Sequence, residues 1–351
     1  MTFVPRFRIT PALTAALARI ERARGYLDAA RLSADWVASM QAWARVVEAH
    51  HSTRLAGTGL TLDQSERILA GRIPEDASEH DVRVLVACHE ELGRLGQTGH
   101  GGAVDDADRI RELRERLVGG NRTAQAVGGR DDGYRTAAGD IADPRTGRTL
   151  FTPPPPREIP RRMAELVEWL GQDHGTDEVL SAGIAQVLML QIRPFDDANG
   201  RTARLVSLHC LRSSGYDVKG LYSLSEPYDR DPSVYVRAVR SARDRQGDLT
   251  VWLEYFAEML AGQMREVHDR AEKVVRRDAI ARMHPLSQRQ RAALAHALVQ
   301  GGLTVEDFQI LCPGMSRATL LKDLRGMINR GLLTMEATSE RRIYRISNAA
   351  I

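Results

Sequence analysis

Residues 190–205 read LQIRPFDDANGRTARL, which places Asp196, Asp197, an Asn199–Gly200 pair and three arginines, Arg193, Arg201 and Arg204, in one short stretch. Asn-Gly permits a tight turn with positive φ. A helix beginning near Arg201 leaves unpaired N–H groups and a partial positive charge at that turn, which suits an anion. Arg201 and Arg204 stand three apart and can share a helix face, and each offers a planar donor fork that matches phosphate. Asp197 could hold Mg²⁺ bridging the same phosphates, and the amide of Asn199 could orient a phosphate oxygen. Pro194 disfavours the α conformation at Arg193, while Phe195 is placed to anchor the loop in a core. Taken alone, the residues leave a second reading open, because paired arginines beside acids at a helix start also occur as surface ion pairs of small energetic value.

The elements that must hold this loop are almost all helical. Apolar residues recur at three- and four-residue spacing over 13–30 and 34–49. Thr61, with Gln64 three residues on, reads as a helix N-cap, and 80–95 as a further helix. GQTGHGGAVDD is a Gly-rich connection. Two short extended runs flank DPRTG, which predicts a β-hairpin, and Pro153 to Pro156 predict a rigid polyproline segment. Helices are expected again over 159–172, 176–191, 201–213, 232–246 and 249–277. The run 176–191 is mostly apolar, so it should be buried. From Leu286, three short helical segments precede TMEATSERRIYRIS, which alternates as two strands, the pattern of a winged helix-turn-helix.

Composition narrows the function classes. The chain has 351 residues, 43% of them hydrophobic and 27% charged, as in proteins with packed cores and ordinary polar surfaces. No apolar run approaches the length of a membrane span, so none is expected, and MTFVPRFRIT lacks the apolar stretch of a signal peptide. Cys88, Cys210 and Cys312 are distant and odd in number, which fits a reducing cytoplasm and offers no metal-ligand spacing. A net charge of +3 excludes a nucleic-acid polycation.

The 193–204 stretch resembles the signature loop of the Fic (filamentation-induced-by-cAMP) family, His-Pro-Phe-x-Asp/Glu-Gly-Asn-Gly-Arg-x-x-Arg, matched here at Pro194, Phe195, Asp197, Asn199, Gly200, Arg201 and Arg204. GYRTA, the hairpin and FTPPPPREIP are similar to the family's flap, and DRDPSVYVRAVRSARDRQGDLTVWLEYF to its closing helices. The resemblance implies a mainly α fold: a Fic helical bundle with a short β-hairpin flap, plus a C-terminal winged helix-turn-helix. The expected organisation is an N-terminal helical region over 1–100, a Fic core over 101–262, a linker helix over 263–285 and the winged helix over 286–351. Fic proteins typically transfer AMP from ATP to a protein hydroxyl. The resemblance implies Mg²⁺ at Asp197, an anion hole of Ala198, Asn199, Gly200, Arg201 and Arg204, and a protein target docking on the 134–151 flap by strand addition. It also suggests that the loop of Tyr222 and Glu226 lines a nucleotide-base pocket.

Two departures alter that expectation. The family's catalytic histidine, a general base, falls at Arg193. Arginine stays protonated at any working pH, so ordinary AMP transfer should be weak or absent. Ala198 stands for the first loop glycine and adds a Cβ where positive φ is called for; Gln186 stands where many members have histidine. In HHSTRLAGTGLT the inhibitory glutamate of many members is replaced by Ala56, so Arg204 should be free of that pair. His50 and His51 adjoin this segment, His209 should be packed, and Asp196 exposed. The sequence leaves open an unconventional phosphate-centred transferase or lyase and a ligand-sensing regulator acting through its winged helix. The ligand is ATP or another nucleotide or phosphorylated molecule. On the winged helix, Arg317, Lys322, Arg325 and Arg330, with Arg341, Arg342 and Arg345 on the wing, are the candidate contacts for DNA or a partner. A homodimer is left open.

Overall fold

Helical periodicity in the sequence becomes helices in the structure, a computed structural model that describes residues 4–97, 106–118, 133–138, 141–142, 149–172, 174–245, 247–337 and 341–347. In chain order these are α1 (Pro11–Ala29), α2 (Ala34–Arg54), α3 (Leu62–Leu69), α4 (Glu79–Gln97) and α5 (Ala107–Leu117). A two-stranded hairpin follows, β1 (Ile141–Ala142) and β2 (Thr149–Phe151). Then come α6 (Ile159–Leu170), α7 (Glu178–Ile192), α8 (Asn199–Ser213), α9 (Ser225–Arg230), α10 (Pro232–Asp244) and α11 (Thr250–Met283). The chain closes with α12 (Gln288–Gln300), α13 (Val305–Leu311), α14 (Arg317–Asn329), β3 (Leu333–Ala337) and β4 (Arg342–Ile346). The fold is mainly α. Contacts divide it into two compact units, residues 1–28 with 34–267, and 29–33 with 268–351. Apart from residues 29–33, the stretches 1–100 and 101–262 therefore lie in one unit, which ends at Val267.

Local chemistry sets the helix ends. The Thr61 hydroxyl accepts the Gln64 N–H (3.2 Å) and the Gln64 side chain accepts the Thr61 N–H (2.9 Å), the reciprocal cap expected from the sequence. Asp177 caps α7 through Val179 and Leu180 N–H, and Asp231 caps α10, with Pro232 in the first turn. Helix α8 begins at Asn199, two residues before the expected start, and α5 and α9 are helices that the periodicity had not marked.

In the first unit α8 lies between two apolar clusters. On one side Ala203 and Val206 pack with Met163 and Leu166 of α6 and Ala185 and Met189 of α7. On the other, Leu205 packs with Ala49, Ile68, Leu85, Cys88 and Leu117. Helix α7 is buried along most of its length, as its composition requires. It approaches α11 closely at Gly183, whose carbonyl accepts the Trp252 indole N–H at 2.7 Å. A Cβ there would sit 2.9 Å from the Phe256 ring. β1 pairs antiparallel with β2 (Ile141 opposite Phe151), and the turn expected over DPRTG falls outside the described residues.

The second unit has its own core, in which Leu294, Phe308, Leu320, Leu324 and Met327 meet Tyr344. Its three helices α12, α13 and α14 precede β3 and β4, paired antiparallel from Leu333–Ile346 to Ala337–Arg342.

Candidate functional site

Helix α7 ends at Ile192, and its cap Arg193 leaves the helix in the left-handed conformation (φ 45°), where Pro194 disfavours continued α geometry. The chain then turns through Pro194 and the buried Phe195, exposes Asp196 and Asp197, and re-enters a helix through Ala198 at φ 65°. Ala198 thus occupies a conformation that favours glycine, at some cost in backbone strain. Asn199 staples the turn: its Oδ1 accepts the Phe195 N–H (3.0 Å) and its Nδ2 donates to the Phe195 carbonyl (2.6 Å). Its amide is therefore spent on the loop itself, where the sequence had suggested a phosphate contact.

No side chain caps α8, so its first-turn N–H groups are left for an anion or water. Arg201 and Arg204 follow, 3% and 2% exposed. They do not extend in parallel. Arg201 Nη1 donates to the Leu117 carbonyl at the end of α5 (3.1 Å), its Nη2 lies 3.5 Å from Asp197 Oδ2, and its buried Nε has no partner. Arg204 is not free, contrary to the expectation drawn from Ala56: Nε donates to Ser52 Oγ (3.1 Å) and Nη2 to the Ser52 carbonyl (2.7 Å). Ala56 lies in the turn after α2, and it is the Ser52 hydroxyl and carbonyl near the end of α2 that take the guanidinium. Arg204 Nη1 stays near Gly200, where a Cβ would come within 3.3 Å. Asp197 has its side chain 68% exposed, with one oxygen accepting the Ala198 N–H (2.5 Å).

Arg193 is half-buried, and among the described residues its side chain makes no hydrogen bond or ion pair. Burial pushes its guanidinium below its ordinary pKa, with Asp197 acting the other way. The same cause lowers Arg201. Neither shift makes an arginine a proton acceptor.

Sequence reasoning missed Arg135. Its N–H donates to the Pro194 carbonyl (2.9 Å), and its guanidinium donates to the carbonyls of Arg193 (2.7 Å), Ala137 (3.0 Å) and Pro154 (2.5 Å). One side chain ties the base of the flap to the exit of α7. The signal lay only in the GYRTA stretch, whose arginine gives no hint in sequence of four carbonyl partners.

The neighbouring imidazoles differ. His50 is buried, and its Nδ1 meets Ser65 Oγ at 2.9 Å; Ser65 itself donates to the Thr61 carbonyl (3.0 Å), so its oxygen receives the His50 Nδ1–H. Burial, then the charges of His51 and Arg54, holds His50 down to about 4. His51 Nδ1 lies 2.7 Å from Asp229 Oδ2, which Arg54 also approaches at 3.2 Å. A carboxylate accepts only, so the His51 Nδ1 carries the hydrogen in this contact. Asp196 is exposed and His209 half-buried. Tyr222 is buried with its hydroxyl on the Tyr216 carbonyl (3.0 Å), and Glu226 pairs with Arg230 (2.8 Å).

In the second unit Arg317 pairs with Glu306 (2.9 Å), Arg345 with Glu336 (2.8 Å), and Arg330 donates to the Gly326 and Pro285 carbonyls. Lys322 and Arg325, one turn apart on α14, are exposed and without an acidic partner among the described residues. No described helix is long and apolar enough to cross a membrane.

Comparison with known proteins places this geometry. The Fic/DOC family model matches residues 105–211. The protein adenylyltransferase fic-1 of Caenorhabditis briggsae is 26% identical over 175 residues, 48% of this chain and 32% of that one. A probable protein adenylyltransferase of Aquifex aeolicus is 31% identical over 94 residues, 27% of each chain. The chain thus spans about a third of the length of these curated relatives. The crystal structure of a Fic family protein from Desulfovibrio desulfuricans G20 superposes with a TM-score of 0.61 at 19% identity, covering 99% of both chains. Fic-1 from C. elegans superposes at 0.58 with 22% identity over 74% of this chain and 72% of that one. The chain therefore carries a Fic domain at residues 105–211, a span that includes the loop between α7 and α8.

Proposed function

We propose that the α7–α8 loop binds a nucleotide or related phosphorylated ligand, and that standard AMP transfer to protein hydroxyls is weak or absent. The observation that carries the reading is the uncapped start of α8 beside a buried Arg201 whose Nε lacks a partner. A buried donor without an acceptor costs free energy, and a phosphate oxygen at the helix N-terminus would supply the acceptor. Arg201 Nε, Arg204 Nη1 and the first-turn N–H groups are the donors still available to it. Arg193, half-buried next to the loop, adds a cation and takes the family's base position. Relatives named protein adenylyltransferases support ATP as the ligand to try first.

Asp197 fits a divalent cation, since its side chain is 68% exposed and its second oxygen is met, among the described residues, only by Arg201 Nη2 at 3.5 Å. Magnesium binds through one or two carboxylates plus substrate phosphates, and such an ion would neutralise phosphate charge there. Arg193, Arg201 and Arg204 bind and orient the ligand. The hairpin reached from Arg135 offers a strand edge for a protein target.

Titration calorimetry of the intact chain with ATP, with and without Mg²⁺, tests the reading. Saturable binding with no labelled AMP transferred is the expected result, and Arg201→Met should weaken it at least tenfold. Absence of binding, or ready transfer of AMP by the unaltered chain, would overturn it. Product formed from ATP and abolished by Arg193→Ala would instead favour a phosphate-centred enzyme. The observation that favours this second reading is the Asp229-oriented His51, next in sequence to the Ser52 that holds Arg204.

For the second unit, Lys322 and Arg325 on one face of α14 support DNA backbone contact, whereas the ion pairs of Arg317 and Arg345 weaken it.

A further inference from the structure

One opening in the first unit lies away from the loop between α7 and α8. A cavity of about 750 Å³ is lined by Leu208 and Arg212 from the far end of α8, eight residues beyond Arg204 in the case of Arg212. At a rise of about 1.5 Å per residue that is roughly 12 Å along the helix. Helix α2 contributes Gln41, Arg45 and Glu48, spaced four and three apart and so on one face. The end of α4 and the turn at 217–220 complete the walls. The volume lies within the usual range for small-molecule sites, about 300–1,000 Å³.

Most charged groups around it are already committed. Arg212 donates to Asp217 (2.6 Å) and to the Gly96 carbonyl (2.9 Å). Lys219 donates to the Leu27 carbonyl (2.9 Å), and Arg24 to Glu21 (2.7 Å). Glu48 accepts from Ser223 and from the Ser225 N–H. Arg45 is the exception: it is half-buried and has no hydrogen bond or ion pair among the described residues. Its guanidinium reaches Gly93, where a Cβ would stand 3.2 Å from Nη1, so the glycine makes room for it. A cation drawn partly out of water without a partner is costly unless a ligand supplies the counter-charge. Leu92, Leu208, Val218 and Tyr222 give the cavity an apolar side. One wall is strained: Val218, Lys219 and Gly220 have φ of 45°, 58° and 69° in succession. A buried β-branched residue in the left-handed region is an outlier of the kind found at ligand clamps.

We infer that this cavity binds a small organic anion, with its one anionic group on Arg45 and its apolar or aromatic body against Leu92, Leu208 and Tyr222. The site is separate from the phosphate loop and stands or falls without it. Carboxylates and phosphate monoesters share the required chemistry.

The test is titration of the full chain with 1-naphthoate and, in a second arm, 1-naphthyl phosphate, each in the presence of saturating ATP to occupy the other site. Saturable one-to-one binding of at least one probe is expected, and the tighter arm identifies the anionic group. Arg45→Met should weaken it about tenfold or more, the loss expected for one charge-assisted hydrogen bond. Leu208→Trp, which fills the cavity from the opposite wall and leaves Arg45 intact, should do the same. No saturable binding of either probe, or binding that both variants leave unchanged, would overturn the inference.

Discussion

Arg193 and a histidine at the same position would differ in one property that matters here. An imidazole releases and takes protons near neutral pH, whereas a guanidinium does not. Arg193→His should therefore yield detectable self-AMPylation from labelled ATP where the natural chain gives little, the gain being of the order of 10²–10⁴-fold for a restored general base. Asn199 makes a different demand. Both ends of its amide hold Phe195, so Asn199→Ala should cost stability, about 1–3 kcal/mol for an orphaned buried group, read as a lower denaturant midpoint. His50 gives the fold a pH dependence. In the folded chain it titrates at about 4, in the unfolded chain near 6.5. Between those values the unfolded chain binds a proton that the folded chain refuses, so stability falls as pH falls through that window. The drop in unfolding midpoint from pH 7 to pH 4.5 should be smaller in His50→Gln, which removes the titrating group. At this scale the sequence singled out the residues of the α7–α8 loop, because their types and spacing are local. Arg135 and the Ser52–Arg204 contact stayed hidden, because their partners lie 58 and 152 residues away.

At the scale of elements, a helix glycine has a sign set by what it faces. Gly25 in α1 is exposed, with nothing within 4 Å of an added Cβ. Gly25→Ala should stabilise by about 0.5–1 kcal/mol through lost unfolded-state freedom. Gly183 in α7 sits against Phe256 and Leu253, both fully buried. There the same substitution should destabilise by about 1–3 kcal/mol by overpacking. Paired denaturation curves check both. Helix periods and caps such as Thr61–Gln64 were legible because each is a short-range pattern. Helix α9 was not. It is six residues long, too short for a period to show, and is held by tertiary contacts such as Asp229 with His51.

Each of the two units has buried apolar residues of its own, among them those around α6, α7 and α8 in one and those around α12, α13 and α14 in the other. Calorimetric unfolding should depart from a single two-state transition. Leu324→Ala should lower one component and Leu166→Ala the other, each by roughly 2–5 kcal/mol. On the second unit, any DNA shift should weaken steeply with salt, and replacing Lys322 and Arg325 by Gln should reduce the salt slope by about two. The sequence alone determined the helical class and singled out the loop between α7 and α8, since both are written in neighbouring residues and in composition. Only the tertiary structure decided that Arg204 is held by Ser52, that Asn199 serves the loop, and that a cavity opens at the far end of α8. Those depend on which distant backbone carbonyls and side chains arrive at the same point, and no spacing along the chain encodes that.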